Sequence, residues 1–141
     1  MPKFVTICII DDDDIYQFAI TRTIIKHEID TKNILVFSDG KEAITYITQN
    51  VDKTEDIPDV IFLDINMPVM DGWQFLDGFL KINSNIQKKV DIYMVSSSVD
   101  PADIDRAKKI NVVTDYLVKP LSPEILKKII EFHNSNLGAA S

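Results

Sequence analysis

The 141-residue chain holds one cysteine, four glycines and two histidines, and each scarcity excludes something. A lone cysteine, Cys8, forms no intramolecular disulfide and suits a reducing compartment. No GxxxxGK[ST] stretch occurs, which excludes a P-loop nucleotide site. His27 and His133 lack ligand spacing and read as surface or packing residues, not as zinc ligands. Bases are outnumbered, 15 against 22 acids, for a formal net charge of −7. Nucleic acids and anionic membranes both require a cationic footprint that this balance does not offer. No apolar run approaches the ~20 residues that cross a bilayer. The run from Phe4 to Ile10 stops at four consecutive aspartates, which end any signal-peptide core. What is present suits a globular protein: 45% hydrophobic and 26% charged residues, at a length that supports a core without staples. The expectation is a small acidic cytoplasmic domain over residues 1–135, with 136–141 as a short tail.

Apolar, β-rich runs recur at 4–10, 33–37, 59–63, 90–95 and 112–118. Unbroken runs of this kind suit strands covered on both faces. Helical patterns lie between and after them, over about 14–29, 40–49, 72–82, 101–109 and 123–134. Asp100 before Pro101 and Ser122 before Pro123 are helix-start signals. Five strands alternating with five helices predict an α/β fold, a (βα)5 doubly wound five-stranded parallel sheet. The first helix carries apolar residues on two faces: Ile15, Phe18, Ala19, Ile25 and Ile29 on one, Tyr16, Ile20 and Ile24 on another. That surplus favours a deeply buried helix over one that contacts a partner.

The distinctive polar residues fall at strand ends. Asp11 to Asp14 follow the first strand, Asp64 closes the third, Ser96 to Ser98 follow the fourth, and Lys119-Pro120 follows the fifth. Open parallel sheets bind ligands beyond the carboxyl ends of their strands. With the flavodoxin-like strand order 2-1-3-4-5, these four ends line one crevice and the edge strand stays out of it. Three carboxylates, Asp11, Asp12 and Asp64, then face one Lys119. Carboxylates crowded in this way raise one another's pKa unless a cation enters. Oxygen ligands without histidine or cysteine suit Mg²⁺ or Mn²⁺, completed by a phosphoryl group. Ser96 and Lys119 suit the oxygens of that group, and an aspartate can serve as the nucleophile. Lys119 precedes a proline, where a cis bond is affordable. Each feature alone has a plainer reading: an aspartate run caps a helix, Lys-Pro is a turn, three serines are a loop. Their agreement in register carries the argument.

The stretches IIDDDD (9–14), IFLDINMPVMDG (61–72), MVSSS (94–98) and DYLVKPL (115–121) resemble the receiver domain of two-component response regulators, across nearly the whole chain. The resemblance implies a phosphoacceptor at Asp64 and an acidic pair at Asp11 and Asp12, with Asp12 binding Mg²⁺ directly. It implies a backbone carbonyl ligand at Asn66, a hydroxyl at Ser96, a lysine at Lys119 and an aromatic switch at Tyr116. It further implies a stand-alone, chemotaxis-regulator-like domain that takes a phosphoryl group from a histidine kinase or phosphotransfer protein. Such a domain loses the group by hydrolysis and presents a changed surface to a downstream protein; it is not otherwise an enzyme. Ser96 stands where threonine is frequent, and Ser97 where a small apolar residue is common. Three alternatives are weaker. A Mg²⁺-dependent aspartate-nucleophile phosphatase generally carries an acid at position 66, which here is Asn66. A flavodoxin-like FMN carrier conflicts with four aspartates that repel the FMN phosphate. A receiver-fold module that is never phosphorylated conflicts with the intact Asp11, Asp12, Asp64, Ser96 and Lys119 set.

Overall fold

The computed structural model describes residues 3–139. The elements run β1 (Thr6–Ile10), α1 (Asp14–Lys26), β2 (Asn33–Phe37), α2 (Gly40–Gln49), β3 (Val60–Leu63), α3 (Gly72–Ile82), β4 (Asp91–Ser96), α4 (Pro101–Lys108), β5 (Val113–Val118) and α5 (Pro123–Ala139). All strand pairs are parallel, in the order β2-β1-β3-β4-β5. This is the expected (βα)5 topology. Every residue of β1 and β3 is buried, whereas the edge strands β2 and β5 are partly exposed. Strand alternation splits the core in two. Cys8, Ile10, Ile61, Leu63, Ile92 and Met94 face α2, α3 and α4. Ile7, Ile9, Val60, Phe62, Tyr93 and Val95 face α1 and α5. Each large side chain so buried contributes roughly 1.5–3 kcal/mol, and both faces are needed to hold the sheet.

Helix starts follow their caps. Asp13 accepts from the N–H groups of Ile15 and Tyr16 at the head of α1, and Asp71 forms a capping box with Gln74 at α3. Several boundaries differ from expectation, three of them for a reason the structure shows. Helix α1 stops at Lys26, because Glu28 adopts φ 53° and turns Ile29 back into the core, its N–H bonded to the Ile24 carbonyl. Strand β4 extends through Ser96, which pairs with Val118 of β5. Helix α5 continues through Ala139, so 136–139, expected as tail, are helical; Leu137 packs beside the α1/α5 core. Helix α1 is also not buried on both faces. Ile20 and Ile24 face the sheet, while Ile15, Phe18 and Ile25 are 81%, 64% and 70% exposed. One helix packed on one side of a sheet can bury a single stripe, and the second stripe is left in solvent. No described helix is long and apolar enough to cross a membrane.

Candidate functional site

Neighbouring strands deliver the site residues in register. Ile10 lies opposite Leu63, so the residues leaving β1 and β3, Asp11 and Asp64, emerge side by side. The ladder continues one residue further, with the Asp64 N–H on the Ile10 carbonyl and the Asp11 N–H on the Phe37 carbonyl. At the other side the Lys119 N–H donates to the Ser96 carbonyl at 2.9 Å, which anchors the lysine beside β4. The Lys119-Pro120 peptide is cis. Gly72 allows a close approach: a β-carbon there would sit 2.5 Å from the Asp64 carbonyl oxygen, so a side chain at this position would displace the strand end. The Gly72 N–H instead bonds the Ile65 carbonyl at 2.8 Å and seats the start of α3 against Asp64.

The structure brings Asp11, Asp12, Asp64 and Lys119 together. Carboxylate oxygens of the three aspartates lie within 4.8 Å of one another, with Asp11 and Asp64 buried and Asp12 exposed. Lys119 Nζ is 2.7 Å from Asp11 Oδ2 and 3.4 Å from Asp64 Oδ1. Burial, then the Asp11 charge, pushes the Asp64 carboxyl up to about 6, against the opposing pull of Lys119 and of the Ile65 N–H. Burial alone would lower the Lys119 pKa, but its bond to Asp11 and both carboxylate charges outweigh that and raise it. Three acids against one base leave an excess of negative charge in a partly dry crevice. That excess, carried only by hard oxygen donors, fits a divalent cation such as Mg²⁺. Asn66 is exposed in the loop two residues past Asp64. In the same loop Val69 holds φ 67°.

The β4–α4 loop is organised by Ser98. Its N–H donates to the buried Ser96 Oγ at 3.1 Å, and its carbonyl accepts from the Tyr116 hydroxyl at 2.9 Å. Its own hydroxyl donates to Asp103 Oδ2 at 2.8 Å and accepts from the Asp100 N–H at 3.2 Å. Ser96, Tyr116 and the head of α4 are thus tied through one residue. Tyr116 is half-buried against the core, and α4 buries only Ala107. Two contacts are not legible in the sequence. Ser98 reads there as a loop serine near the site, and its offset of two residues from Ser96 is the available signal. Tyr16 reads as part of one apolar face of α1, yet its ring centre lies 4.3 Å from Lys119 Nζ. Its position two residues past the aspartate run is the only local hint.

The sequence pattern described as "Response regulator receiver domain" matches residues 7–131. Chemotaxis protein CheY1 of Helicobacter pylori is 29% identical over 124 residues, covering 87% of this chain and 91% of its own. The probable methanogenesis regulatory protein FilR2 of Methanothrix harundinacea is 28% identical over 125 residues, covering 89% and 78% respectively. A protein-glutamate methylesterase/protein-glutamine glutaminase of Methanococcoides burtonii is 27% identical over 138 residues, which span 36% of its length. A crystal structure of a two component response regulator from Cytophaga hutchinsonii superposes with a TM-score of 0.81 at 31% identity, over 95% of this chain and 98% of that one.

Proposed function

Because the chain belongs to the response regulator receiver domain family, whose role is phosphoryl acceptance, we propose that Asp64 is the acceptor of a phosphorelay switch. The observation that carries this reading is the Lys119 ammonium bridging two buried carboxylates, Asp11 and Asp64, at adjacent strand ends. The donor is a phosphohistidine of a histidine kinase or phosphotransfer protein, the partners with which receiver domains interact. An Asp64 oxygen attacks phosphorus and the P–N bond breaks. Its electron pair stays on the imidazole nitrogen, and an acyl phosphate forms. With its carboxyl pushed up to about 6, Asp64 is still mostly ionised at neutral pH and able to attack.

Asp11, Asp12 and Asp64, with the Asn66 carbonyl, would hold Mg²⁺ or Mn²⁺, which when bound offsets the charge of the phosphoryl oxygens. Lys119 takes one phosphoryl oxygen as a charge-assisted donor, and the Ser96 hydroxyl donates to another. Turning Ser96 towards the phosphoryl group draws on its bond from Ser98, and the Ser98 bonds to Tyr116 and Asp103 carry that pull to β5 and α4. The lightly anchored α4 shifts at small cost, and a downstream protein reads the surface made by α4, β5 and α5. Attack of water on phosphorus releases phosphate and restores the Asp64 carboxylate. The chain assists its own phosphorylation and dephosphorylation and is in that sense a phosphoacceptor, not an enzyme acting on other substrates.

Intact-mass analysis after incubation with acetyl phosphate tests the assignment. Wild type with Mg²⁺ should gain one phosphoryl group, and wild type in EDTA or Asp64→Asn should gain none. Undiminished label on Asp64→Asn would overturn it.

A further inference from the structure

We propose that Tyr16 is a positioning residue, its ring face holding the Lys119 ammonium beside Asp64; this rests on the reading of Asp64 as acceptor. Lys119 Nζ lies 4.3 Å from the Tyr16 ring centre, well inside the ~6 Å over which an aromatic face attracts a cation. The same nitrogen meets Asp11 at 2.7 Å and Asp64 at 3.4 Å, so the ammonium is walled by two carboxylates and a π face. Tyr16 is itself held. It sits in the first turn of α1, with its N–H on the capping Asp13 carboxylate, and it packs beside the core shared by α1 and α5.

The lysine needs this third wall. Its backbone N–H is fixed to Ser96, but four flexible methylenes separate that anchor from the charge. Its shorter ion pair is with Asp11, not with the nucleophile Asp64. Asp11 is also one of the three carboxylates suited to a divalent cation, and a carboxylate shared between two cations holds each less firmly. The neutral ring does not enter that competition. It keeps the ammonium over the crevice when the hold of Asp11 slackens. The sequence hides this because Tyr16 and Lys119 belong to elements at opposite ends of the chain.

The test uses Tyr16→Leu, which keeps apolar bulk without a π face, and Tyr16→Phe, which keeps the face without the hydroxyl. Both are made in the wild-type and in the Lys119→Met background. Tyr16→Met replaces Tyr16→Leu should the latter unfold. The first readout, in the unphosphorylated protein, is the proton shift of the Lys119 ε-methylene. It should be displaced upfield by the ring in wild type and Tyr16→Phe and return to an ordinary value in Tyr16→Leu. The second is the affinity for beryllofluoride with Mg²⁺, read by fluorescence of Trp73, on which Arg106 of α4 stacks at 4.2 Å. Tyr16→Leu should weaken binding about two- to tenfold, and Tyr16→Phe should restore it. In the Lys119→Met background, Tyr16→Leu should change nothing further. An equal loss in both backgrounds, or an unshifted methylene in wild type, would overturn the proposal. If wild type neither binds beryllofluoride nor takes label from acetyl phosphate, the assignment of Asp64 fails, and the methylene shift alone still decides the placement of Tyr16.

Discussion

Replacing Asp64 by asparagine should stabilise the fold in the absence of metal. Burial and the Asp11 charge lift the Asp64 carboxyl from 3.8 to about 6, while in the unfolded chain it keeps an ordinary value. The ionised group is therefore costlier in the folded state, by about two pKa units at ~1.36 kcal/mol each, or about 3 kcal/mol at pH 7. Asparagine removes the charge and keeps the shape. It gives up the 3.4 Å contact with Lys119, but Lys119 retains Asp11 at 2.7 Å, so no buried charge is orphaned. The pull of Lys119 is already contained in the raised value, and solvent at the mouth of the crevice screens part of the cost, so the net gain should be about 1–2 kcal/mol, a rise in Tm of roughly 3–6 °C. The sign follows from the raised folded pKa: wild type has its full stability from this group below about pH 4 and loses it as pH rises to about 6 and beyond. The advantage of Asp64→Asn should thus be greatest at pH 7 and vanish near pH 4. Urea unfolding in EDTA at several pH values, followed by Trp73 fluorescence and far-UV circular dichroism, measures it. Added Mg²⁺ should narrow the gap by stabilising wild type more. An Asp64→Asn variant less stable than wild type at pH 7 in EDTA, or a gain that does not shrink with acid, would refute the reasoning.

Val69 holds φ 67° with an exposed side chain, a conformation that costs an L-residue about 1–2 kcal/mol. Val69→Gly should relieve more strain than the added unfolded-state entropy removes, raising stability by about 0.5–1 kcal/mol in urea; a lower denaturation midpoint would contradict this. Burial lowers the His133 pKa, with Asp91 opposing, Lys89 adding to the shift and Asp59 opposing; its Nε2 meets the Tyr93 hydroxyl at 2.8 Å. Stability from neutral His133 is present above about pH 6.5 and is lost as pH falls through its lowered folded value. In the Asp64→Asn background, His133→Gln should flatten that acid loss in urea titrations; an unchanged slope would exclude His133 as its source. Ser98→Ala deletes the hydroxyl bonds to Asp103 and Asp100, so amide exchange at the head of α4 should quicken about fivefold. Unaltered exchange there would show that Ser98 does not hold the helix.

The architecture was legible because its signals are local. Buried strands such as β1 and β3 write themselves as unbroken apolar runs, and helices announce themselves by period and cap, as Asp100-Pro101 does for α4. Asp11, Asp12, Asp64, Ser96 and Lys119 were singled out because the carboxyl ends of adjacent parallel strands must share a crevice once the strand order is 2-1-3-4-5. Which face of α1 turns inward could not be read, since Ile15, Phe18 and Ile25 are as apolar as Ile20 and Ile24. The sheet accepts only one stripe, and the choice depends on how the whole helix docks. The extension of α5 likewise depends on Leu137 finding the core beside α1. The raised pKa of Asp64, the π face over Lys119 and the convergence of Ser96, Tyr116 and Asp103 on Ser98 depend on burial and on contacts between distant segments. Periodicity and caps are encoded within a turn or two of chain, whereas desolvation and side-chain contact exist only after packing has set which distant residues share one small volume.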